Sequence, residues 1–175
     1  MEIKKTKIDG AYILTPRIFE DERGYFFESY NRKTYENLGI IADFVQDNEA
    51  KSTYGVVRGL HYQKDEAAQA KLVRVTQGRV LDVLVDLRKG SNSYGMCISV
   101  ILSSTNRKQI FIPRGIAHGY SVLSNTAVFA YKCDNYYFAG MEAGINPMDP
   151  KLNIDWKIDP NDMIISTKDQ NWPNF

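Results

Sequence analysis

Turn signals recur through the middle of the chain at intervals that leave room for strands and little room for helices. Residues 71–76 (KLVRVT), 79–86 (RVLDVLVD), 96–102 (MCISVIL), 109–112 (QIFI) and 127–131 (AVFAY) are short runs rich in β-branched and aromatic side chains. The run at 79–86 also alternates apolar and polar residues over part of its length, as a half-buried strand does. Gln77-Gly78, KGSNSYG, SSTNRK, PRGIAHG and LSNT lie between the runs as turn signals. A turn about every 8–12 residues is the rhythm of a β-sandwich or jelly roll. Helical pattern is scarce. One short helix is expected over 33–38, ended by Gly39 and capped near Asn31. The last third carries Pro147, Pro150, Pro160 and Pro173 and reads as extended or looped, with part of it folded back over the barrel mouth. No repeat or low-complexity linker divides the chain, so residues 1–175 are read as a single domain.

Charge and patterning exclude several function classes. With 22 basic and 21 acidic side chains the net charge is +1, which gives no global attraction to nucleic acid or to a membrane surface. An anionic ligand must therefore be met by a local basic cluster. No stretch approaches the roughly 18 apolar residues of a membrane span. The opening MEIKKTKIDG is basic but has no apolar segment behind it, unlike a secretory signal. Cys97 and Cys133 are far apart and outside any CxxC pair. They read as buried free thiols in a reducing cytoplasm.

Reactive side chains are few. His61 and His118 are the only histidines. A lone histidine is more often a hydrogen-bonded structural residue than a catalyst, but the segment VVRGLHYQ places Arg58, Tyr62 and Gln63 within a strand-length of His61. In a regular strand Arg58 and His61 face opposite ways, unless Gly59 allows a bulge. A metal site is not expected, because no HxH or HExxH occurs and two distant histidines make a poor ligand set. No nucleophile elbow, Walker loop or dinucleotide fingerprint is present, and no cofactor is expected.

Seven motifs then identify a resemblance: DERGYFFE at 21–28, QDN at 46–48, VVRGLHYQ at 56–63, AKLVRVTQG at 70–78, PRGIAHGY at 113–120, YKCDNYY at 131–137 and STKDQNWP at 166–173. In order and spacing, over nearly the whole length, they resemble the dTDP-4-dehydrorhamnose 3,5-epimerase family of cupin-type sugar-nucleotide epimerases. The resemblance implies an all-β, cupin-like jelly-roll barrel with a few short helices. It implies a cytoplasmic homodimer acting on a dTDP-4-keto-6-deoxy sugar without metal or cofactor. His61 matches the family's catalytic base, Asp169 its acidic partner, Tyr131 the acid on the opposite face of the sugar, and Lys71 the cation beside the sugar carbonyl. Arg23, Glu28, Gln46, Asp47, Asn48, Arg58, His118, Glu142 and Lys168 match positions lining the nucleotide-sugar site. Phe26 and Tyr137 match aromatics near the base. Pairing through an N-terminal strand would bring Arg23 and Phe26 to the partner's site.

These residue types suit the implied chemistry. A ketone at C4 acidifies the hydrogens on C3 and C5, which lie axial on one face of the starting chair. One imidazole below the ring can reach both, and histidine's ordinary pKa suits a general base. A carboxylate on its other nitrogen fixes the tautomer. Lysine meets the enolate oxygen, where loss of one donor typically costs about 10²–10³ in rate. A tyrosine hydroxyl can protonate the other face, and arginine forks suit a diphosphate. An epimerase acting at C3 or C5 alone, a 3,4-ketoisomerase and a non-catalytic sugar-binding jelly roll remain the alternatives.

Overall fold

A computed structural model describes residues 1–175. Fourteen strands form two facing sheets and one small hairpin. The first sheet runs in the order β1 (Glu2–Lys5), β2 (Tyr12–Thr15), β10 (Gln109–Ile112), β7 (Lys71–Gln77), β12 (Thr126–Cys133) and β5 (Gln46–Thr53). The second runs β13 (Glu142–Gly144), β6 (Val56–Gln63), β11 (Ile116–Val122), β8 (Arg79–Asp86) and β9 (Cys97–Ser103). The two-residue strand β14 (Ile164–Ile165) adds in parallel to β6. The hairpin pairs β3 (Phe19–Asp21) with β4 (Gly24–Phe26). This is the expected all-β jelly roll.

Strand alternation divides the apolar residues among three cores. Val73 and Val75 of β7, Val80 and Leu84 of β8, Tyr120 and Val122 of β11 and Phe129 of β12 fill the space between the sheets. Leu14, Leu72 and Phe111 face outward from the first sheet and are covered by Tyr35 and Ile40. Tyr35 belongs to the short helix α1 (Arg32–Asn37), whose N-cap Asn31 accepts a hydrogen bond from the Thr34 amide. Val57, Leu60, Val83 and Ala117 face outward from the second sheet and pack on Ile145 and Trp156 of the C-terminal third. Full burial of such side chains contributes about 1.5–3 kcal/mol each. Most of the looped C-terminal third thus seals the outer face of a sheet, while Lys168, Asp169 and Trp172 return to the barrel mouth as expected. The Trp156 indole N–H donates to the Pro147 carbonyl at 2.9 Å and pins that covering.

Strand boundaries move by one or two residues from the sequence expectation, and one assignment changes. The segment PRGIAHG, read as a turn, is a turn only over Pro113–Gly115. From Ile116 it becomes the central strand β11, buried along its whole length. Gly119 disguised it. A Cβ there would stand 2.5 Å from the Arg58 carbonyl and 3.1 Å from Gly59 Cα, so glycine marks a close strand approach and not a bend.

Candidate active site

The strand β6 holds the base by breaking its own alternation. Its pairing with β11 shifts register between His118 and Tyr120, and Gly59 sits at φ +128°, in the left-handed region. The glycine irregularity lets Arg58 and His61 face the same interior, while Leu60 points outward into the covering core. The condition posed by the sequence is met. A Cβ on Gly59 would stand 2.6 Å from Gly119 Cα, so no larger residue fits without moving backbone.

Asp169 comes from the far end of the chain. The short helix α2 (Thr167–Gln170) starts at Ser166, whose hydroxyl accepts from the Asp169 amide. The Asp169 carboxylate accepts from His61 Nε2 at 2.6 Å through Oδ1, and from the Gly59 amide at 3.2 Å through Oδ2. One carboxylate therefore binds both the imidazole and the glycine that aims it. Burial works to raise the Asp169 pKa, but the His61, Gly59 and Ser166 hydrogen bonds outweigh it and hold the carboxyl below its ordinary value. With Nε2 donating to an ionised aspartate, Nδ1 is the ring nitrogen free to take a proton. Trp172 meets the imidazole edge-on, with ring centroids 6.5 Å apart.

Opposite His61, across the cavity, stand Lys71 of β7 and Tyr131 of β12. These three line both the outer chamber and the inner one. Lys71 Nζ lies 5.9 Å from the centre of the Tyr131 ring, within cation–π reach. Burial lowers the Lys71 pKa, and the charges of Cys133, Asp82 and Glu142 oppose that fall. Burial pushes the Tyr131 hydroxyl up, so it stays protonated as a donor must. The Cys133 thiol, also buried, is pushed up to about 11.

At the mouth, Glu142 accepts from Tyr137 Oη at 2.7 Å and pairs with Lys168 Nζ at 2.7 Å. Burial acts to raise Glu142, but these two donors hold it ionised below the ordinary carboxylate value. Gln46 accepts from the Tyr137 amide and donates to Asn48, building the opposite wall. At the inner end, Arg58 donates from Nε to Ser52 and His118 donates from Nε2 to Asp82.

Thus His61, Lys71, Tyr131, Asp169, Gln46, Asn48, Arg58, His118, Tyr137, Glu142 and Lys168 gather around one cavity. Four candidates do not reach it within the chain. Asp47 alternates to the outer face of β5, where Lys132 donates to both its oxygens at 2.9 and 2.8 Å. Glu28 accepts from Asn31 and Thr34 beside α1. Arg23 and Phe26 lie on the exposed β3–β4 hairpin, at a separate cleft, with Arg23 paired to Asp21. Asp82, Tyr120 and Cys133 line or underlie the cavity without having been singled out from sequence. Asp82 had a readable signal, since it interrupts an apolar face between Val80 and Leu84. No group of three or more His, Cys, Asp or Glu side chains is placed to hold a metal ion. No helix is long and apolar enough to cross a membrane.

Comparison with known proteins adds an independent line. A family model described as dTDP-4-dehydrorhamnose 3,5-epimerase matches residues 5–175. The enzyme of that name from Methanothermobacter thermautotrophicus is 48% identical over 169 residues, covering 96% of this chain and 91% of its own. The crystal structure of dTDP-4-dehydrorhamnose 3,5-epimerase from Elizabethkingia anophelis superimposes with a TM-score of 0.96 at 55% identity, covering 100% of this chain and 96% of that one. The dTDP-6-deoxy-D-glucose-3,5-epimerase of Legionella pneumophila, solved in complex with dTDP-4-keto-L-rhamnose, gives 0.94 at 48% identity and covers 99% and 92%. A match of this length, on a fold that sets His61–Asp169 against Lys71 and Tyr131, means that the chain belongs to the dTDP-4-dehydrorhamnose 3,5-epimerase family.

Proposed function

We infer that this enzyme inverts C3 and C5 of dTDP-4-dehydro-6-deoxy-D-glucose, giving dTDP-4-dehydro-L-rhamnose through enolate intermediates. The observation that carries the reading is the aspartate-bound imidazole, His61–Asp169, sharing a cavity with a half-buried lysine and a half-buried tyrosine. His61 Nδ1 removes the axial proton from either carbon. Lys71 Nζ meets the oxygen on which the enolate charge collects, in a site where burial strengthens that attraction. Tyr131 returns a proton from the opposite face. Each inversion leaves an imidazolium and a tyrosinate, which exchange protons with solvent before the next carbon reacts, and no external oxidant or reductant enters. Lys168 at the mouth supplies a cation for the diphosphate, and Tyr137 beside it a face for the base. Proton NMR of the keto sugar with the enzyme in deuterated water tests the reading. Solvent deuterium should enter at both C3 and C5 with inversion at both. Inversion at one carbon only would make it a mono-epimerase, and movement of the ketone a 3,4-ketoisomerase.

The chain also acts as one domain and pairs with a second copy. Arg23, Phe26 and Glu28 lie away from the cavity of their own chain, and both rings and charges of the hairpin stand in solvent. Strand β1 is exposed at every residue on a sheet edge, the kind of edge a neighbouring chain covers. Light scattering at micromolar concentration should return twice the 20.0 kDa chain mass. A fully active monomer would refute the pairing.

A further inference from the structure

The proposed chemistry leaves one charged group of the barrel interior unused. Asp82 is fully buried inside the barrel, and its two oxygens are unequally employed. Oδ2 accepts from His118 Nε2 at 2.8 Å, whereas Oδ1 has no hydrogen-bond partner. Such a buried carboxylate oxygen is costly unless a positive charge faces it. Strand alternation shows that it points into the barrel, toward the opposite sheet. Asp82 lies between Val80 and Leu84, and both of these pack in the inner core with Val73 and Val75 of the opposite sheet. Lys71 occupies the same inward face of β7 as those two valines. His118 and Tyr120, the β11 neighbours of Asp82, line the inner chamber together with Lys71.

We propose that Asp82 is the buried counter-charge that keeps Lys71 cationic, with His118 fixing the carboxylate in place as Asp169 fixes His61. The two histidines are direct cross-strand partners, and each gives Nε2 to its own aspartate. The His61 dyad moves protons, while the His118 dyad holds charge. Asp82 is thus a positioning residue that acts through Lys71. The proposal rests on reading Lys71 as the cation beside the enolate.

The remaining groups around Lys71 limit what else sets its charge. Arg58 and His61 face it from β6, and His118 and Tyr120 from β11. Tyr131 and Cys133 face it from β12, and Glu142 from β13. Among these, Glu142 is already engaged by Lys168 and Tyr137. Tyr131 and Cys133 are both pushed up by burial, whereas Lys71 is lowered. Burial leaves the Asp82 pKa above its ordinary value, and His118 and Lys71 limit that rise, the reciprocal of the support Asp82 gives Lys71.

The test is Asp82→Asn, nearly isosteric, with Asp82→Ser as the second variant should the amide not fold. Two quantities are measured in the full-length enzyme. One is the alkaline arm of kcat against pH. The other is the midpoint for acetylation of Lys71 by acetic anhydride, read by mass spectrometry, which needs no activity. Both should fall by about one pH unit, the lower end of what a nearby opposite charge contributes. A uniform loss of kcat with both midpoints unmoved would overturn the proposal and leave Asp82 as a structural partner of His118. A labelling midpoint that falls while the kcat arm stays put would uphold the pairing and sink the placement of Lys71 at the enolate.

Discussion

With His61→Ala, neither C3 nor C5 of the keto sugar should take up deuterium from the solvent, and kcat/KM should fall by about 10⁴. That is the upper end of what a positioned general base contributes. The upper end is expected because one nitrogen serves both carbons and no neighbour can replace it. Glu142, the nearest carboxylate at the mouth, is tied up by Lys168 and Tyr137 and held below its ordinary pKa. Asp169 loses the His61 contribution to its lowered pKa in the variant, but it remains bound by the Gly59 amide and Ser166. Lys71 is more useful charged than free, and Tyr131 is kept protonated by burial. Misfolding is a minor confound, since the His61 side chain is a third exposed and lies on a strand that is paired on both sides. Undiminished binding of dTDP would confirm an intact site. Persistent exchange at either carbon would require a second base and end the single-base account.

The five strands read from apolar runs all formed, because β-branched runs between turn residues have few other ways to bury their side chains. Where the reading failed, the strands were built of other residues. Strand β11 hid behind Gly115 and Gly119, although Gly119 is there to let Arg58 come close. Strand β5 alternates polar with polar along QDNEAKST, since its inner face lines the cavity and not the apolar core. Alternation also decides between neighbours in one motif: Gln46 and Asn48 face inward and Asp47 faces Lys132. Resemblance supplied all three residues together, and only the sheet separates them.

The convergence of Arg58 with His61 was legible as a condition and not as a result. The sequence placed a glycine between them; the register shift against β11 is a property of two strands and has no signature in one. Asp169 is the limiting case. It lies 108 residues from His61, and only the capped turn at Ser166 and the sealing of the C-terminal third against the second sheet bring it within 2.6 Å. Asp82 marks the opposite situation. A charged residue on an inward face between two aliphatic ones is visible in the sequence, yet its relation to Lys71 exists only across the barrel.

The substitution Tyr131→Phe should separate exchange from inversion. The phenol of Tyr131 and the imidazole of His61 stand on strands of opposite sheets, β12 and β6, and both line the same cavity. A ring bound between them would present one face to each. Removing the hydroxyl leaves the His61–Asp169 pair, Lys71 and the shape of the pocket in place. The remaining phenyl ring still packs beside Phe129, whose centroid lies 6.1 Å away. His61 can then abstract a proton, Lys71 can hold the enolate, and imidazolium can return a solvent-derived deuteron to the face it came from. Deuterium should therefore still appear at C3 and C5 in unepimerised sugar. Net epimerisation should fall by about 10²–10⁴, the usual contribution of a general acid. The wild-type hydroxyl is pushed above the ordinary tyrosine value by burial, so it should act as a donor across the neutral range, and the loss in the variant should be nearly independent of pH there. Parallel loss of exchange and inversion would mean that enolate formation itself needs the tyrosine, and that the two faces of the sugar are not served by separate residues.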